Sequence, residues 1–276
     1  MKKILAPALM ALALASCAIP DSPMDGEARH TLNWPVQKLY GEAKSELDSG
    51  NYERAIRLYS LVQSRYPYGA YAEQALMDQA YALYRHEEPE QALEAIAQFE
   101  KRYPKSQNLD YILYLKSLVL FNDDTSLLNK IQRQDWSERD PEANRKTYDV
   151  LKDLVERYPD SRYAEAAREK MNRIVTSLAG NEMAVARYYM ERGAWLAAVN
   201  RAKTVIEQYG QTPHVEEALA LMMSAYLKMG ENKLSLDAKR VLQMNYPNSG
   251  YLATGWVRER DPWYGFWSSS MKPKRP

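Results

Sequence analysis

The chain has 276 residues, 37 basic against 36 acidic side chains and a formal net charge of +1, and 46% of it is hydrophobic. That balance excludes a strongly basic nucleic-acid binder and a long acidic disordered chain, while the apolar content is enough for a real core. One cysteine makes neither an intrachain disulfide nor a cysteine-rich zinc site, and 11 glycines disfavour folds built on many tight turns.

The first residues read as an address. Lys2 and Lys3 form a positive start, and Ile4 to Leu14 is an apolar run of 11 residues. This suits a signal peptide and falls short of the roughly 20 residues of a membrane-spanning helix. Leu14-Ala15-Ser16-Cys17 then resembles a bacterial lipobox, in which the thiol is acylated and becomes the new N-terminus. The expected divisions are a lipoprotein signal peptide over 1–16 and a lipid-bearing Cys17, carrying an N-acyl and an S-diacylglycerol group. Removing residues 1–16 leaves 35 basic against 36 acidic side chains. Ala18, where inner-membrane lipoproteins often carry Asp, points to the outer membrane. Pro20, Pro23 and Gly26 mark residues 17–30 as a flexible tether. No later segment is apolar enough to cross a bilayer, so the rest is expected to be a body held on the periplasmic face by its lipid.

The body repeats. Tyr66-Pro67-Tyr68-Gly69-Ala70-Tyr71-Ala72-Glu73 returns as Tyr158-Pro159-Asp160-Ser161-Arg162-Tyr163-Ala164-Glu165 and as Tyr246-Pro247-Asn248-Ser249-Gly250-Tyr251-Leu252. Tyr103-Pro104 and Tyr209-Gly210 are shorter echoes. Tyr66 to Tyr103 and Tyr209 to Tyr246 are both 37 residues, and the two gaps between are longer by 18 and 14. Ala55 and Ala92, and Ala198 and Ser235, keep the same 37-residue step. Each unit reads as a helix, a glycine or acidic turn, a second helix and a Tyr-Pro stop. Proline ends the second helix by lacking an N–H and pushing the preceding residue out of the α region. The Ser, Asp or Asn after it is expected to cap the next helix.

On these residues the chain resembles the tetratricopeptide repeat family. Ala55, Ala92 and Ala198 sit where that pattern wants close helix contact, facing Ala80, Ser117 and Ala186. Pro67, Pro104, Pro159 and Pro247 match its terminal proline; Gly210 departs. The resemblance implies an all-α superhelical solenoid of five helix-turn-helix repeats over 31–250, the third and fourth carrying insertions; the residues after it, 251–276, read as an aromatic and basic C-terminal tail. The lipobox, the five repeats, the acidic insertion and Tyr189-Met190-Glu191-Arg192-Gly193-Ala194-Trp195 together resemble the BamD (ComL) family of outer-membrane assembly lipoproteins. That resemblance implies a non-enzymatic scaffold of the β-barrel assembly machinery. Its implied partners are the POTRA domain of BamA, the other Bam lipoproteins, unfolded outer-membrane β-barrel proteins and the membrane itself. A periplasmic repeat adaptor for peptidoglycan enzymes or for the Tol system is the alternative. A lytic peptidoglycan enzyme is not expected, because the repeats take up the residues that a catalytic domain would need.

Chemistry is mostly missing. His30, His86 and His214 lie far apart and outside any His-Glu-x-x-His pattern. No Gly-x-Ser-x-Gly elbow, phosphate loop or dinucleotide fingerprint occurs. The acidic pairs at Asp123-Asp124 and Asp135 to Asp140 read as solvated turns. No enzyme, no metal and no cofactor beyond the lipid are therefore expected. In the repeat register, one stripe of each first helix faces the groove. The peptide-groove candidates are Tyr40, Lys44, Gln74, Met77, Tyr81, Tyr84, Tyr111, Tyr114 and Phe121. Positions 180, 183, 187 and 190 and positions 217, 220, 224 and 227 continue the stripe without aromatics. A tyrosine there either grips a peptide, ring and hydroxyl together, or packs between helices; spacing leaves both open. In the resemblance the groove receives client C-terminal segments that end in an aromatic residue. The turn that would dock BamA carries Arg192 and Trp195, though an arginine at a helix end is equally often only solvated. The tail binds a headgroup, caps the last repeat or meets a partner.

Overall fold

The computed structural model describes residues 23–121 and 141–257. The signal segment with Cys17, the insertion of the third repeat with its acidic pairs, and the tail beyond Val257 lie outside the described residues. Among the described residues all regular elements are helical: α1 (Pro23–His30), α2 (Val36–Asp48), α3 (Tyr52–Arg65), α4 (Ala70–Arg85), α5 (Pro89–Arg102), α6 (Leu109–Phe121), α7 (Pro141–Arg157), α8 (Ala164–Glu191), α9 (Trp195–Gln208), α10 (His214–Met229), α11 (Asn232–Asn245) and α12 (Tyr251–Thr254). This is the all-α, paired-helix class expected from the repeats. The helices fall into two compact units, one ending at Ile112 and the other beginning at Leu113.

In the first unit α2 buries Leu39, Ala43 and Leu47 on one stripe, and α3 buries Ala55, Leu58, Tyr59 and Val62. These are the i, i+3, i+4 spacings of helices with one wet face. The two stripes close on Ala75 and Ala82 of α4. Helix α4 packs against α2, α3 and α5, so it is apolar on more than one side. The second unit repeats the scheme: α7 packs on α8, α8 on α9 and α10, α9 on α10, and α10 on α11. The small residues sit at the crossings. Ala55, Ala80, Ala92, Ser117, Ala186 and Ala198 are all 0% exposed, which is how helix axes come close without a cavity.

Two local devices set the repeat. The turn between paired helices needs a left-handed residue: φ is +84° at Gly50, +74° at Gly193 and +81° at Gly230. The next N–H, of Asn51, Ala194 and Glu231, donates to a carbonyl five residues back, so the helix end is closed. Glu87 occupies the same place with φ +63° although it is not glycine. The Tyr-Pro stop works as expected at its tyrosine: Tyr66, Tyr103 and Tyr246 leave the helix with ψ between 55° and 67°. The serine after it does something else. The N–H groups of Ser106, Ser161 and Ser249 donate to the carbonyls of Tyr103, Tyr158 and Tyr246, closing a proline turn. The hydroxyls of Ser106 and Ser161 accept from the N–H two residues on, and that of Ser106 also donates to Glu73 Oε1 in the first turn of α4 at 2.5 Å. No side-chain cap forms at α4, α8, α10 or α12. The serine lies too early in the chain to reach the helix start.

Two expectations look different in three dimensions. The 14-residue insertion of the fourth repeat is the first half of α8, a helix of 28 residues. Fourteen residues are close to four turns at 3.6 per turn, so the buried stripe stays nearly in phase. Residues 17–30, expected as a tether, become helix α1 from Pro23 onward. Glu27 of α1 pairs with Arg54 at 2.8 Å and Arg57 at 3.2 Å. Arg65 donates to the carbonyls of Ala28 and Thr31, each at 2.6 Å, so α1 is held on α3.

Candidate functional site

The tyrosines of the first unit converge on a buried acid. Asp78 of α4 is only 9% exposed. Tyr40 of α2 donates to its Oδ2 at 2.7 Å, Tyr59 of α3 donates to the same oxygen at 3.4 Å, and Gln74 donates to Oδ1 at 3.2 Å. Three donors satisfy a carboxylate that burial alone would make costly. Burial first, and then the Asp78 charge, pushes the phenols of Tyr40 and Tyr59 far above the ordinary tyrosine range. Both therefore remain neutral donors at physiological pH. Above this network Tyr71 lies 5.3 Å from the Tyr40 ring and is open to solvent. Tyr81 and Tyr84 meet at 6.4 Å. Arg85 donates to the Tyr81 hydroxyl at 2.8 Å and lies over the Tyr52 ring at 5.0 Å.

The nine groove candidates thus divide. Tyr40 and Gln74 meet at Asp78, and Tyr81 and Tyr84 meet each other one to two turns along α4. Lys44 is exposed and pairs with Asp48 at 3.1 Å. Met77 is 8% exposed and belongs to the core. Tyr111 is half-buried on α6. In the second unit Tyr114 stacks on Tyr163 with centroids 4.9 Å apart, and Phe121, 6% exposed, lies under the ammonium of Lys170 at 4.2 Å. Tyr114 and Phe121 are thus packing residues rather than open rings.

The turn between α8 and α9 carries the other candidates. Arg192 is exposed, with its guanidinium 5.2 Å over the ring of Tyr188, which is itself 53% exposed. Trp195 is half-buried, and its ring would lie 3.6 Å from a Cβ at Gly193. The tryptophan therefore holds the turn while Arg192 and Tyr188 face outward. Further along, the second unit closes its own inner stripe. Arg187 of α8 forks onto Glu217 of α10 at 2.7 and 2.6 Å, and Trp256 donates its indole N–H to Glu217 at 3.1 Å.

Among the described residues no group of three or more His, Cys, Asp or Glu side chains could hold a metal ion, and no helix is long and apolar enough to cross a membrane.

Comparison with known proteins decides the family. A family model described as outer membrane lipoprotein YfiO matches residues 33–242. The outer membrane protein assembly factor BamD of Neisseria meningitidis serogroup A is 48% identical over 267 residues, covering 97% of this chain and 100% of that protein. The chain belongs to the BamD family. The BamD of Xylella fastidiosa strain 9a5c is 35% identical over 84% of this chain and 81% of its own. Among solved structures, that of the MamA protein aligns at 14% identity with a TM-score of 0.32, over 81% of this chain and 98% of that one.

In this BamD-family chain the sequence reading missed three groups. Asp78 was visible as a lone acid inside the apolar run Ala75-Leu76-Met77-Asp78, an interruption that a core helix tolerates only with partners. Tyr59 was hidden because it stands on a second helix, outside the groove register. Trp256 was hidden because it follows the last repeat, where periodicity no longer applies.

Proposed function

We propose that this chain is a non-enzymatic scaffold lipoprotein of the β-barrel assembly machinery, anchored through Cys17 on the periplasmic face of the outer membrane. The observation that carries this reading is the near end-to-end match, at 48% identity, to a relative named as an outer membrane protein assembly factor. In this role the first unit receives C-terminal segments of unfolded barrel proteins. Tyr71, Tyr81 and Tyr84 supply ring faces, Gln74 and the tyrosine hydroxyls supply polar contacts, and the hydrogen bond from Tyr40 to Asp78 keeps the floor rigid. Amphipathic rings at low entropic cost suit a wet peptide surface. The Arg192 turn docks the POTRA domain of BamA, where an exposed arginine stacked on Tyr188 has the chemistry of an interface anchor. Other Bam lipoproteins complete the assembly.

Each part has its own test. The double variant Tyr81→Ala/Tyr84→Ala should bind an aromatic-ending barrel peptide at least about tenfold more weakly, because two ring contacts are lost; unchanged affinity in a folded variant refutes the groove. Arg192→Glu should lose co-purification with BamA from solubilised outer membranes, and its retention refutes the docking turn. Cys17→Ser should lose incorporation of labelled palmitate and leave the outer-membrane fraction; continued labelling refutes the anchor.

A further inference from the structure

After the last repeat the chain turns back on itself. Helix α11 ends at Asn245, the Tyr246-Pro247-Asn248-Ser249 turn closes, and the four residues of α12 pack on α10 and α11. Gly255 then takes φ +67°, a conformation that L side chains rarely adopt. A Cβ there would also stand 3.3 Å from the hydroxyl of Ser224. The glycine therefore brings the backbone down onto α10. The backbone N–H of Trp256 donates to Ser224 Oγ at 2.9 Å, and its indole N–H donates to Glu217 Oε1 at 3.1 Å. The two acceptors are seven residues apart on α10, two turns and about 10 Å of helix, so they meet a main-chain donor and a side-chain donor of one extended segment. Arg187 holds Glu217 from the other side with both nitrogens of its fork. Burial pushes the Glu217 carboxyl upward, but Arg187 and the Trp256 N–H outweigh it, and the group lies below the usual carboxylate range. Arg187, Glu217 and Ser224 all belong to the inner stripe of the repeat register.

We propose that Arg187, Glu217 and Ser224 form a binding site for a tryptophan-bearing extended peptide, occupied in cis by Gly255-Trp256 and open to a second chain when that segment leaves. The occupant defines the ligand: a small residue able to take positive φ, followed by a tryptophan whose main-chain and indole N–H groups both donate. The site lies in the second unit and does not depend on the client groove of the first. A segment joined to the last repeat by a few residues competes at an effective concentration of about millimolar. A site occupied in cis nine-tenths to ninety-nine hundredths of the time binds a ligand in trans about 10- to 100-fold more weakly than when empty.

The test uses the full chain and a fluorescein-labelled peptide of the sequence Tyr251 to Val257, followed by anisotropy. Trp256→Ala empties the site, and Gly255→Val forces the segment off α10 while leaving Trp256 present. Both should bind the peptide at least 10-fold more tightly than the wild type, and adding Glu217→Ala to either should abolish the gain. Equal binding by wild type and both variants overturns the proposal, as does no binding by either. In the unaltered protein, excess unlabelled peptide should move the indole N–H resonance of Trp256; a resonance that stays fixed at millimolar peptide also overturns it.

Discussion

Glu87 sits where the repeat asks for glycine, and replacing it should stabilise the first unit. It ends α4 at φ +63°, in step with Gly50 at +84° one repeat earlier. Its neighbour Glu88 donates to the carbonyl of Leu83 at 3.0 Å, the same closure that Asn51 makes to Glu46. The turn is therefore intact, and the left-handed backbone is carried by an L residue at a cost of about 1–2 kcal/mol. Glycine removes that cost but loses about 0.5–1 kcal/mol more chain entropy on folding. The net gain expected for Glu87→Gly is about 0.5–1 kcal/mol, or a rise of 1–4 °C in Tm for a protein of this size. The side chain is exposed, so little packing is lost. The reciprocal change tests the same term with opposite sign. A Cβ at Gly50 meets no atom within 4 Å, so Gly50→Ala is strained by backbone conformation alone and should cost about 1 kcal/mol. Urea unfolding of the full chain, followed by far-ultraviolet circular dichroism, measures both. Both sites lie in the first unit, so the second serves as an internal reference. A Glu87→Gly variant that is destabilised, or a Gly50→Ala variant that is neutral, refutes the turn argument.

Three further outcomes follow from the packing and the charges. Ala92, fully buried on α5, should tolerate no larger residue; Ala92→Leu should cost about 1–3 kcal/mol in urea unfolding, and a neutral result would mean the helices are not in close contact there. Tyr40→Phe removes the 2.7 Å donor to the buried Asp78 and should cost about 1–3 kcal/mol, largely recovered by adding Asp78→Asn; full additivity of the two changes would deny the coupling. Glu217 has its folded pKa below the unfolded value of about 4.3, so its contribution is present above that pH and lost as pH falls through the folded value. The stability difference between wild type and Glu217→Gln should therefore be flat from pH 8 to 5 and shrink below about 4; a difference that grows on acidification would reverse the sign.

What the sequence made legible follows from which signals are periodic. The 37-residue step is written in residues whose role is local, such as the proline after Tyr103 or the alanines at 55, 92 and 198, so helix pairs could be placed before any coordinates. The insertion of 14 residues could not be recognised as a helix extension by the step alone, because a gap in the repeat has the same length whether it is loop or helix. Its phase carried the answer: Ala167, Ile174 and Leu178 continue the buried stripe that runs on to Met183 and Ala186. The groove was half legible. Register fixes which side of a helix a residue takes, and the structure brings Tyr40 and Gln74 together at Asp78 and Tyr81 against Tyr84. Register does not say how deep a residue lies, and depth is set by the neighbouring helix. Met77 is covered where α4 is wedged among three helices, and Phe121 is covered by Lys170 of α8, a partner 49 residues away. The same limit concealed Trp256. Its place on Glu217 depends on a glycine that can turn left-handed and on a serine 32 residues earlier, neither of which any period connects. Residues that punctuate a repeat can be read from one chain; residues that close its inner face are chosen by contacts across repeats, as Trp256 is by Glu217 and Ser224.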